Sequence, residues 1–74
     1  MFKSELKRLR HLAFFTQKEL CLRSGVPLGT YKSWEIGLQL PSHTNWQKYI
    51  NFMQTTNAKY ELKNVKELYN KCKK

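Results

Sequence analysis

Gly25-Val26-Pro27-Leu28-Gly29-Thr30-Tyr31-Lys32-Ser33-Trp34-Glu35 is the stretch from which the fold is read: a tight turn leading into a short helix. Gly25 can take the positive φ that commonly closes a preceding helix. Pro27 presets φ for a new helical turn where its missing N–H is not needed. Tyr31 and Trp34, three residues apart, make one inward stripe, which puts Leu28, Gly29, Lys32 and Ser33 on the outward face. Val26 is free to dip into a core at the turn.

Upstream, Thr16-Gln17-Lys18-Glu19 spells a capping box, in which the Thr16 hydroxyl takes the Glu19 amide and the Glu19 carboxylate reaches back. Phe15 before the cap and Leu20 after it complete a hydrophobic staple. A helix from Gln17 to about Ser24 follows, burying Leu20 and Cys21. Before it, Leu6, Leu9, Arg10 and Ala13 share one helical stripe, predicting a first helix over roughly 3–13 with Lys3, Lys7 and Arg8 turned outward. Downstream, Gly37 and Pro41 bracket a loop. Ser42 caps a fourth helix carrying Trp46, Tyr49, Ile50 and Met53. Leu62, Val65, Leu68, Tyr69 and Cys72 suit a fifth helix, whereas the alternation of Ala58, Tyr60 and Leu62 suits a short strand; the pattern leaves both open.

The chain has 74 residues, enough for one domain and no more. At 41% hydrophobic it is too apolar for a disordered tail, and recurring Lys and Arg keep every apolar run short of a membrane span. Its start, Met-Phe-Lys-Ser-Glu, lacks the apolar core of a signal peptide, so a cytoplasmic location is expected. Fourteen basic residues against five Glu give a net charge of +9, which favours a polyanionic partner, nucleic acid first and an acidic membrane surface second. The surplus is spread along the chain, net +4 over residues 1–41 and +5 over 42–74, with only Lys73-Lys74 resembling a basic end. Cys21 and Cys72 form no CxxC and have no His at a ligand spacing, so neither a metal nor a disulfide is expected. There is no Ser-His-acid set, no carboxylate pair and no Gly-rich phosphate loop; no enzymatic activity and no cofactor are expected. Tyr31, Trp34 and Trp46 are tempting as stacking platforms for single strands. Their spacing assigns them to the core, and His11 and His43 to the surface.

In order, Leu9-Arg10, Thr16-Gln17-Lys18-Glu19-Leu20, Gly25-Val26, Thr30-Tyr31-Lys32-Ser33-Trp34-Glu35-Ile36-Gly37 and Pro41 resemble the phage-repressor and Cro (Xre-type) helix-turn-helix family. The resemblance covers roughly residues 6–53, about two thirds of the chain, without insertions. It implies an all-α, compact five-helix bundle of the lambda-repressor-like type with its helix-turn-helix unit at 17–36. In that family the third helix, here about 28–35, enters the major groove, usually as a homodimer on a near-palindromic operator. It also implies an ion pair between Arg10 and Glu35 that sets helix orientation, and a phosphate contact at Gln17, where helix amides and dipole favour an anion. Three positions depart from the pattern. Phe14 stands where the family often has Gly, Ser24 replaces an apolar core residue, and Leu38-Gln39-Leu40 replaces a basic loop.

Base contacts are expected from Leu28, Gly29, Lys32 and Ser33, the outward residues near the start of the third helix. Lys32 suits guanine or phosphate, Leu28 a thymine methyl or simple packing beside Tyr31. Lys7, Arg8, Lys18 and Thr30 join Gln17 as candidate phosphate contacts. Tyr60, Leu62, Val65 and Tyr69, within 58–74, offer an apolar strip that either forms a twofold dimer contact or closes the monomer's own core. The expected function is a sequence-specific, double-stranded DNA-binding transcriptional regulator, a cytoplasmic, nucleoid-associated repressor from a phage, plasmid or bacterium. Two alternatives are a DNA-binding antitoxin with a toxin partner, and a protein-interaction module that keeps the fold without reading DNA.

Overall fold

The computed structural model describes residues 1–72, leaving Lys73 and Lys74 outside, and contains no strand among them. Five α-helices follow in order: α1 (Phe2–Leu12), α2 (Gln17–Ser24), α3 (Leu28–Glu35), α4 (His43–Met53) and α5 (Leu62–Cys72). A 3₁₀ segment, Asn57–Glu61, joins the last two. This is the expected all-α bundle. The C-terminal alternative resolves as helix because the buried positions Ala58, Leu62, Val65 and Tyr69 recur at steps of four, three and four, a helical period, while Tyr60 stays exposed.

The same burial decides between the two readings of the C-terminal apolar strip, in favour of the monomer's own core. Leu62, Val65 and Tyr69 are each 3% exposed or less and sit in the chain's own core, where α5 packs on α1. The Tyr69 hydroxyl donates to the Pro41 carbonyl at 2.9 Å and so ties α5 to the α3–α4 loop. Of the four residues only Tyr60 remains on the surface.

Aromatic rings connect the layers. Trp46 stacks on Tyr69 at 4.4 Å and on Tyr49 at 5.1 Å between ring centroids, and Trp34 meets Tyr49 edge-on at 6.1 Å. Phe2 of α1 lies 5.6 Å from Trp46. Stacked and edge-on pairs of this kind add about 0.5–1.5 kcal/mol each beyond area burial. The inner face of α3 is thereby clamped by α4, which in turn is clamped by α5.

The corner after α1 is built without glycine. Phe14 has φ 62°, the Phe15 amide reaches the Arg10 carbonyl at 3.1 Å and the Phe14 amide reaches His11 at 3.0 Å. These bonds form a Schellman closure with a bulky residue at the left-handed position. Its ring is 85% exposed, so no packing offsets the strain. Left-handed backbone costs an L residue roughly 1–2 kcal/mol, partly offset by the greater unfolded-state freedom of glycine. Phe14→Gly is therefore expected to raise stability by about 1 kcal/mol, read as a higher urea midpoint with an unchanged slope. A lower midpoint would show that the exposed ring contributes packing after all.

Candidate nucleic-acid interface

The α2–α3 unit is assembled by local chemistry at each end. The Thr16 hydroxyl accepts from the Glu19 amide at 3.1 Å while the Glu19 carboxylate accepts from the Thr16 amide at 3.0 Å, so α2 starts on a complete capping box. Gly25, at φ 86°, ends it, its amide bonding the Cys21 carbonyl. Ser24 then accepts from the Val26 amide at 3.3 Å, which gives this polar residue a turn-stabilising role where a core side chain was the family pattern. Val26 is buried, and α3 begins with the Tyr31 amide on the Pro27 carbonyl at 2.9 Å.

One ionic cluster fixes how α3 sits. Arg10 meets Glu35 through two hydrogen bonds, Nε to Oε2 at 2.8 Å and Nη2 to Oε1 at 3.2 Å. Nη1 of Arg10 also donates to the Phe15 carbonyl at 3.1 Å. The Gln17 amide nitrogen donates to Glu35 Oε1 at 3.0 Å, so one carboxylate joins α1, α2 and α3. Both charged side chains are nearly out of solvent, at 10% and 5% exposure. Burial raises the Glu35 pKa, but the bonds from Arg10 and Gln17 and the nearby Tyr31 hydroxyl outweigh it and hold the carboxyl below its ordinary range. The Tyr31 hydroxyl makes no hydrogen bond of good geometry, and burial pushes the phenol well above its usual value.

With Tyr31 and Trp34 fully inside, the outer face of α3 is left with Gly29 and Lys32, both exposed, and with Leu28, half-buried against the core. A side chain at position 29 would meet no atom within 4 Å, so the backbone is open there to close approach. Ser33 does not join this face. Its hydroxyl donates to the Thr30 carbonyl at 2.7 Å and lies 3.1 Å from the Gln39 carboxamide, and the residue is only 9% exposed. The α3–α4 loop folds back over it. That loop follows a second left-handed residue, Gly37 at φ 81°, against which the Lys3 stem packs closely.

The candidate phosphate contacts divide similarly. Lys18 and Lys7 are exposed, and Thr30 is half-buried beside Gln39, Ser42 and Asn45 in a depression of about 440 Å³. Arg8 is committed elsewhere, bonding Glu5 at 2.6 Å and Glu61 at 3.2 Å on the far side of α1. Gln17 has one N–H of its carboxamide on Glu35, leaving the second N–H and the α2 amides to meet an anion. Lys48 was not singled out by sequence. Its stem lies near Gly25 at the turn, a proximity that depends on how α4 crosses α2 and leaves no local pattern.

Cys21 is buried, which pushes its thiol up to about 11 and keeps it protonated. Ile36, Leu38 and Leu40 are exposed at 66%, 73% and 46% along the loop after α3. No helix among the described residues is long and apolar enough to cross a membrane. Comparison with known proteins finds no matching family model, no matching curated protein and no matching solved structure.

Proposed function

We propose that this chain is a double-stranded DNA-binding transcriptional regulator of the phage-repressor and Cro kind, with α3 entering the major groove. The observation that carries this reading is the division of α3. Its inner face and its one carboxylate are held by three other helices, while Gly29 and Lys32 stand free on the outer face of a chain with net charge +9. A helix of eight residues presented in this way has the dimensions and charge to read base edges, and flanking lysines supply sequence-independent attraction. Lys32 and Leu28 are the base-reading side chains of this proposal, Gly29 the point of close approach, and Lys18, Lys7, Thr30 and Gln17 the phosphate contacts. Ser33 and Arg8 are left out of the contact set because their polar atoms have partners within the chain.

In this proposal the chain acts as a repressor that occludes its operator, in the cytoplasm and in contact with the nucleoid. A homodimer on a near-palindromic site remains part of the proposal, with its contact surface outside the buried face of α5. A second reading, a module for protein partners such as a toxin, is favoured by the exposed Ile36, Leu38 and Leu40.

Purified protein mixed with a pool of random-sequence duplexes tests the first reading. Retention of a recurrent sequence is expected, and Lys32→Ala should weaken it by roughly 1–3 kcal/mol and relax preference at one base pair. A uniform loss over all sequences would make Lys32 a phosphate contact. Failure to retain any duplex at low salt would remove the reading.

A further inference from the structure

We infer that the reading face of α3 recognises the methyl group of thymine, together with guanine through one ammonium, and is blind to the exocyclic amines of adenine and cytosine. This deepens the DNA-binding reading and rests on it. In the major groove guanine offers two acceptors, adenine and cytosine each offer an amine donor, and thymine offers an acceptor and a methyl group. A protein recognises the amines only by bringing an acceptor to them.

No exposed side chain on this face brings one. Gly29 has no side chain, and Lys32 only donates. The Ser33 hydroxyl is turned inward onto Thr30 and Gln39. The carboxylate of Glu35, two turns after Leu28, is taken up by Arg10 of α1 and Gln17 of α2. What remains is apolar. Leu28 lies on the wall of a depression of about 270 Å³ between α2 and α3, shared with Val26, Cys21 and the strongly exposed Leu22, and Lys18 stands at its edge. Such a surface cannot satisfy an amine, and it gains contact from a methyl. The acceptor-bearing groups Thr30, Gln39 and Asn45 line the other flank of α3, in the separate depression beside the start of α4.

The discriminating probe is a duplex selected from the random pool and resynthesised with deoxyuridine in place of thymidine, one position at a time. Removal of one contacted methyl should weaken binding about fourfold, the value of burying one such carbon, at one or two positions and not elsewhere. Leu28→Ala should bind the thymidine and deoxyuridine duplexes equally. Leu28→Gln, which keeps the stem and adds an acceptor, should move the preference at that pair toward adenine, with the helical circular dichroism unchanged. Equal affinity of the unmodified protein for both duplexes overturns the inference while leaving DNA binding intact, as does a Leu28→Gln protein that still prefers thymine. If no duplex is retained at all, the inference and the functional reading fall together.

Discussion

Replacing Arg10 with Met alone is expected to destabilise the fold by about 3–5 kcal/mol. The loss comes less from the missing attraction than from the carboxylate left behind, because the Glu35 side chain is only 5% exposed and would keep only the uncharged Gln17 and Tyr31 beside it. Domain stabilities are about 5–15 kcal/mol, so the single variant should sit close to its unfolding transition. The double variant Arg10→Met with Glu35→Leu should recover most of the loss, since a buried pair replaced as a unit by apolar groups is often neutral. Urea unfolding followed through the buried Trp34 and Trp46 measures both. Singles and double that all lie within about 1 kcal/mol of the parent would show that the cluster is solvated in practice.

Acid provides a second measurement of the same cluster. The Glu35 carboxyl holds its proton less tightly in the folded chain than in the unfolded one. Its stabilising contribution is therefore complete above its ordinary value of 4.5 and disappears as pH falls through the lower folded value. Glu5, bonded to Arg8, and Glu19, in the capping box, shift in the same direction, so stability should decline below about pH 4.5. In the Arg10→Met protein burial acts on Glu35 without its main counter-charge, so the Glu35 share of that slope should reverse, protonation now relieving the buried carboxylate, and the net acid dependence should be shallower.

Duplex affinity is expected to fall roughly a hundredfold between 50 and 200 mM salt if four phosphates are neutralised, because each releases a condensed counterion. Lys18, Lys32, Lys7 and Lys48 are the cations from which such a set would be drawn. The measurement separates the two readings of function. Contact between Ile36, Leu38, Leu40 and an apolar partner surface would change little over that range, whereas phosphate neutralisation gives a straight line of log affinity against log salt. A flat line for bound DNA would contradict a charge-driven interface.

The α2–α3 unit was legible in the sequence because its signals are local: a capping box over four residues, a left-handed Gly25, and Pro27 at a helix start. The ion pair came from the family resemblance and not from spacing, since Arg10 and Glu35 are far apart in the chain. Two features depended on tertiary folding and left no such trace. Ser33 has the spacing of an outward residue and is buried only because Gln39 folds back onto it. The strip at 58–69 is apolar whether it closes the bundle or meets another copy, and only the crossing of α5 over α1 decides between them. At Phe14 glycine was the family pattern; the backbone there is left-handed all the same.

A single carboxylate tying three helices has a mechanical corollary. With Glu35 held by Arg10 and Gln17, the angle between the two arms of the reading unit has little room to adjust to what it meets. In the proposed complex any mismatch in curvature would then fall on the nucleic acid, whose bending energy depends on which base steps are distorted. A stiff reader of this kind would favour pliable pyrimidine–purine steps even at base pairs it never touches.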